Sequence, residues 1–137
     1  MADRIEFELV SPEQLLISEP VEMVVVPCTE GDIGVLPGHS PLLATVRPGV
    51  IAIHEGGKVK DSIFVAGGFC EVNPERCTVL VEEAFPISSI DRGEAEKRLT
   101  DAKAAFEAAT DAATKKAAET EIKTAEAMLA ASAKQLH

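Results

Sequence analysis

Tryptophan and tyrosine are absent, and aromatic residues make up 4% of the 137-residue chain, so platforms for stacking bases are scarce. Basic residues are also in short supply. Thirteen Lys plus Arg stand against 23 Asp plus Glu, a formal net charge of -10, which speaks against a surface built to neutralise phosphates and against nucleic acid as a partner. No run approaches the ~18 consecutive apolar residues of a membrane span. The amino end lacks a basic flank followed by an apolar block, so neither a signal peptide nor a transit peptide is expected. The reading is a soluble protein without direct membrane insertion, reaching any membrane through a partner. The three cysteines are odd in number and show no CxxC spacing. What is present is a 46% hydrophobic share, enough for the core of one ordinary domain, or of a small domain with an appendage.

Composition changes abruptly near residue 90. All eight prolines and eight of the nine glycines precede it, whereas 15 of the 47 residues over 91–137 are alanine. Charge divides too: residues 1–90 carry 14 acids and 5 bases, and residues 91–137 carry 9 acids and 8 bases. Proline and glycine punctuate turns, and alanine is the best helix former. An all-β sandwich domain over 1–90, with nine or ten short strands, is therefore expected to precede a helical domain over 91–137.

Ile5, Phe7 and Leu9 alternate with Arg4, Glu6 and Glu8, the period of a half-buried strand. A second strand is expected over 21–26, bounded by Pro20 and Pro27. Gly56-Gly57 is placed to turn a hairpin between 50–54 and 58–65, and Pro74-Glu75 to join 69–73 to 76–82. Consecutive antiparallel strands fit better than a parallel sheet, since nothing resembles a crossover helix. In the helical part, Ala95, Leu99, Ala102, Phe106 and Ala109 form one stripe, and Ala118, Ile122, Ala125, Leu129, Ser132 and Leu136 a second. Extending the first stripe would put Lys116, Thr120 and Lys123 on the seam, so the phase slips near Thr110-Asp111. Two antiparallel helices follow, the first capped by Asp91 with Glu94, and their small-residue seam makes them the weaker half.

Residues of chemistry-bearing types mostly have other readings. If residues 73–76 turn a hairpin, Cys70 faces Val79 and Cys77 faces Val72, a diagonal pair at or beyond the reach of an unstrained disulfide. Buried reduced thiols are the expectation. His39, His54 and His137 have no partner at metal-ligand spacing, so no metal is expected. His39 sits in a loop stiffened by Pro37, Gly38 and Pro41, where a side chain is displayed at low entropic cost. Glu82 and Glu83 are strand neighbours and point to opposite faces. Glu30 and Asp32 flank Gly31 in a turn, and no phosphate-binding glycine motif is present. By its residues alone the chain is a non-catalytic β domain with a helical hairpin, a partner-binding module.

The run EGDIGVLPGHSPLLATVRPGV over 30–50, with VSPEQ over 10–14, VAGGFCEV over 65–72 and TVLV over 78–81, resembles the epsilon subunits of F-type ATP synthases across residues 4–90. The resemblance implies a ten-stranded β-sandwich, a C-terminal helical hairpin and a place on the central stalk, where such subunits bind gamma and rest on the c-subunit ring without catalysing a reaction. It places the c-ring contact at Glu30, Gly31 and Asp32, and a gamma contact at His39, Ser40, Pro41 and Leu42. It also implies a conditional reach of the helices to the alpha and beta subunits, blocking ATP hydrolysis in some members. The mixed charge of the second helix, Lys115, Lys116, Lys123 and Lys134 among Glu119, Glu121 and Glu126, implies that any such regulation is weak. Members that bind ATP carry an I/L-D-x-x-R-A motif. Here Ile90, Asp91 and Ala95 match it, but Glu94 replaces the arginine, and a carboxylate there repels phosphate. No bound nucleotide and no cofactor are expected. The implied location is peripheral, on the cytoplasmic face of a bacterial plasma membrane; a free-standing β-sandwich adaptor is the alternative.

Overall fold

The computed structural model describes residues 4–135. The chain divides into two compact units, Met1–Pro86 and Ile87–His137. The first holds ten strands: β1 (Ile5–Val10), β2 (Leu15–Val21), β3 (Met23–Cys28), β4 (Gly31–Val35), β5 (Leu42–Val46), β6 (Gly49–Glu55), β7 (Lys58–Val65), β8 (Gly68–Val72), β9 (Arg76–Val81) and β10 (Ala84–Pro86). Their order is β10-β7-β6-β3-β5-β8-β9-β1-β2, with β4 on β3. The ladder between β3 and β5 is a single pair, Cys28 with Val46. There the sheet folds over into two leaves that close a sandwich on one shared core. Ile5, Phe7, Leu9, Val72, Val79 and Val81 enter that core from one leaf, and Val24, Val26, Ile51, Ile53 and Val65 from the other.

Local chemistry accounts for the main turns. Gly56 and Gly57 adopt φ values of 61° and 75°, which glycine tolerates and which match a two-residue hairpin to strand twist. Asn73 accepts from the backbone N–H groups of Glu75 and Arg76 at 2.9 and 2.8 Å, an Asx turn that sets the register of β8 on β9. Cys70 therefore lies opposite Val79 and Val72 opposite Cys77.

One sequence expectation is corrected. The strand expected over 21–26 is divided: Val21 ends β2 opposite Ile5, while Met23 begins β3 opposite His54 in the other leaf. The chain changes leaf at Glu22, whose carboxylate accepts from the Gly56 N–H at 2.9 Å. Pro20 and Pro27 thus lie inside strands rather than bounding one. Pro20 sits on the edge strand, and Pro27 lies beyond Val25, the last residue of β3 paired with β6, so neither removes a needed ladder bond. Strands that pair with their neighbours in sequence are antiparallel, as expected; β1 and β9, far apart in sequence, run parallel. No crossover helix is needed, because the intervening strands themselves carry the chain back.

The second unit opens with a 3-10 turn, Ile87–Ser89, followed by α1 (Arg92–Ala108) and α2 (Ala112–Gln135). Asp91 caps α1 by accepting from the Glu94 N–H at 3.1 Å. Asp111 caps α2 through the Thr114 N–H and hydroxyl, at 2.8 and 3.0 Å. That second cap supplies the break that neither glycine nor proline marks. Ala95, Ala102, Ala118, Ala125 and Ser132 are buried, whereas Lys116, Thr120 and Lys123 are exposed, as the two-stripe reading requires. The stripe of α2 is wider than expected, with Thr124, Met128 and Ala131 also buried. The buried hydroxyls of Thr124 and Ser132 are satisfied by the carbonyls of Thr120 and Leu129. Leu136 and His137 lie outside the described residues.

Candidate functional site

The acidic turn at Glu30, Gly31 and Asp32 forms the tip of the β3–β4 hairpin. Cys28 pairs with Gly31 and Pro27 with Asp32. Gly31 sits at φ 128°, a conformation that disfavours any residue with a Cβ. Glu30 is exposed, and no hydrogen bond or ion pair ties it down among the described residues. Asp32 is held: Arg47 donates to its Oδ1 at 2.6 Å and to the Cys28 carbonyl at 2.6 Å. A cleft of about 410 Å³ opens beside the turn, lined in part by Thr29, Glu30, Asp32, Leu42, Leu43 and Thr45. The structure thus joins the Glu30–Asp32 set to Leu42, the last member of the second set.

His39, Ser40 and Pro41 stand on the loop between β4 and β5, outside that cleft. The loop is pinned at Gly38 and His39. Gly38, at φ 85°, donates its N–H to the Pro74 carbonyl at 2.8 Å, and His39 donates to the Leu36 carbonyl at 3.1 Å. The His39 Nδ1 lies 2.7 Å from the Ser40 carbonyl, so it is the donor there and the ring is fixed in direction. Leu42 turns inward and packs on the core; its neighbour Leu43 is 71% exposed.

A larger surface escaped the sequence reading. Thr45 is in register with Phe69, Phe69 with Leu80, Leu80 with Val10 and Val10 with Leu15. These residues cross the outer face of one leaf in a single row, with Leu43 two positions along β5 on the same face. Leu15, Phe69 and Leu80 are 55%, 58% and 44% exposed. Contiguous exposed apolar surface of this kind marks an interaction site. Its signal was present in the sequence. The runs Leu42-Leu43 and Val79-Leu80-Val81 are apolar on both strand faces, where a sandwich with one wet face should alternate.

The groups with latent reactivity are engaged in structure. All three cysteines are buried and unpaired, and the Cys70 and Cys77 sulfurs lie 3.8 Å apart. The hydrogen bond to Cys70, and then burial, push the Cys77 thiol well up, and burial pushes Cys28 up, so neither of these two is a thiolate nucleophile; the same hydrogen bond lowers Cys70 against its burial. Among the described residues, no group of three His, Cys, Asp or Glu side chains is arranged to hold a metal ion. In the stretch from Ile90 to Ala95, Ile90 and Ala95 are buried, the Asp91 carboxylate is used by the helix cap, and Arg92 pairs with Glu96 at 3.2 Å. What the molecule presents outward is a braced acidic tip and an apolar row.

A family profile, the β-sandwich domain of the ATP synthase delta/epsilon chain, matches residues 4–87. The ATP synthase epsilon chain of Rhodospirillum rubrum is 56% identical over 131 residues, covering 96% of this chain and 98% of that one. The corresponding chain of Paramagnetospirillum magneticum is 55% identical with the same coverage. Among solved structures, a chain of the Euglena gracilis mitochondrial ATP synthase, from a cryo-EM structure of OSCP, F1 and c-ring, superposes with a TM-score of 0.81 at 28% identity. It covers 100% of this chain and 84% of that one. A chain from the central stalk and c-ring of the Tetrahymena thermophila mitochondrial enzyme shares the fold, with a TM-score of 0.70 at 17% identity over 93% of this chain and 96% of that one. From its sandwich, its helical hairpin and this near full-length identity, the chain belongs to the ATP synthase epsilon chain family.

Proposed function

We propose that this chain is a non-catalytic rotor subunit of the proton-translocating ATP synthase, joining the gamma shaft to the c-subunit ring. The observation that carries the reading is one stiff sandwich bearing two different binding features. The sandwich, residues 1–90, serves the two rotor partners, and the helices, 91–137, supply at most weak regulation through the alpha and beta subunits.

The two features suit different partners. Leu15, Val10, Leu80, Phe69 and Leu43 give gamma an apolar seat, and His39, Ser40, Pro41 and Leu42 lie on the strand and loop leading to it. Burying one large apolar side chain is worth about 1.5–3 kcal/mol, so a few such anchors supply most of a stable interface. Glu30, Gly31 and Asp32 meet the polar loops of the c ring, where a charged rim fixes orientation more than affinity. Torque passes through the closed sandwich core, which is packed too densely to deform gradually. The chain is peripheral to the membrane, on the cytoplasmic face of a bacterial cell.

Phe69→Glu tests the reading. It places a charge in the centre of the apolar row, where no core contact is lost. The expected result is at least tenfold weaker binding to gamma by calorimetry, with the thermal transition of the isolated chain unchanged. Wild-type affinity for gamma in this variant would show that gamma does not sit on the apolar row, and no binding of gamma by the unaltered chain would instead favour the free-standing adaptor.

A further inference from the structure

We infer that Arg47 is the positioning residue of the acidic tip: it braces the β3–β4 hairpin and neutralises Asp32, leaving Glu30 as the outward charge. This rests on the proposed c-ring contact at that turn and divides the labour within it.

The need for a brace follows from the ladder. Pairing of β3 with β6 ends at Val25 opposite Ala52, and Pro27 has no N–H to extend it. Beyond that point the hairpin overhangs, with β4 on one side and a single strand pair, Cys28 with Val46, on the other. Arg47 stands immediately after β5, beside this overhang. Its backbone N–H donates to the Pro27 carbonyl at 2.9 Å, and Thr29 donates to the Thr45 carbonyl at 2.9 Å. Its guanidinium then reaches both strands at the base of the turn, the Cys28 carbonyl from one nitrogen and Asp32 Oδ1 from the other, each at 2.6 Å. A planar fork with fixed donor directions holds two acceptors in one geometry, which a lysine ammonium does less well. Two acids and one base leave the tip with a net charge of -1, and Glu30 is the acid that no base among the described residues answers. A partner approaching the tip with a basic or amide group meets Glu30 first, on a turn whose shape is already set.

The test uses full-length variants assembled into membrane-bound ATP synthase. It compares Arg47→Met, Arg47→Lys, Asp32→Asn and Glu30→Lys for gamma affinity, ATP-driven proton pumping and hydrogen exchange of the 29–32 amides. Arg47→Met is expected to bind gamma within twofold of wild type, to lose several-fold in pumping and to exchange the turn amides at least tenfold faster. Arg47→Lys is expected to be intermediate, which simple loss of charge would not produce. If Arg47→Met fails to bind gamma at all, Asp32→Asn carries the test, since it removes the anchoring charge at constant shape. Full pumping and full amide protection in Arg47→Met, or in Asp32→Asn where that variant stands in, overturn the inference. If Glu30→Lys lowers pumping while Arg47→Met does not, the assignment of Arg47 fails alone. If Glu30→Lys also pumps normally, the c-ring contact itself is misplaced.

Discussion

Gly68 shows how a single hydrogen atom can set a strand register. Its φ is 153°, and a Cβ built on it would lie 1.9 Å from the Leu80 carbonyl oxygen and 2.9 Å from the Leu80 carbonyl carbon. Backbone of the neighbouring strand cannot yield as a flexible side chain does. Gly68→Ala should therefore cost about 2–3 kcal/mol, lowering the melting temperature of the β unit by about 10–20 °C, as differential scanning calorimetry would show. Acid sensitivity also resolves to particular residues. The hydrogen bond from Arg76 to Glu8, 2.8 Å long, holds that carboxyl below its ordinary range against some opposing burial. At Glu55 burial pushes upward, but Arg4 prevails and the net direction is down. A carboxyl lowered in the folded state stabilises it above the unfolded pKa, about 4.3, and that support fades as pH falls through the folded value. The urea midpoint should drop between pH 5 and pH 3, and Arg76→Gln should flatten that drop. An unchanged slope in the variant would place the acid sensitivity elsewhere.

Elements differ in how plainly the sequence announces them. β1 was legible because its alternation is strict, and the β6–β7 hairpin because two glycines leave few other turns. The boundary between β2 and β3 was not legible. Val21 and Met23 read as one apolar strand, and only tertiary pairing sends them to different leaves. The apolar row was missed for a related reason: only register places Phe69 and Leu80 on the outward face. Arg47 lay outside the reading of the site because its partners, Cys28 and Asp32, are 19 and 15 residues away in sequence. In the helical hairpin, the caps and both stripes were legible because capping and helical period are local. The seam is largely alanine, with an ion pair across it: Arg98 donates to both carboxylate oxygens of Glu121 and also approaches the Met128 sulfur. Little apolar area is buried per residue in such a seam. Amides of α1 should thus exchange faster than those of β8 and β9, and Asp91→Ala should destabilise the hairpin by about 1 kcal/mol. Equal protection across both units would contradict this ranking.

At the scale of the whole molecule, net charge and exposed apolar surface belong to the same unit, the sandwich. Nearly all the net negative charge lies before residue 90, while the outer face of one leaf carries the row from Leu43 to Leu15. A protein that acted alone in water would gain nothing from keeping Phe69 and Leu80 exposed, and would risk self-association through them. A subunit clasped by a shaft would have them covered, with a charged tip free to meet a second partner. One hydrophobic core joins the strands that carry these two features. The most direct measurement is gel filtration of the purified chain mixed in equal amounts with its gamma subunit. Co-elution as a one-to-one complex is the result this account predicts. Separate elution of the two proteins at micromolar concentrations would contradict it.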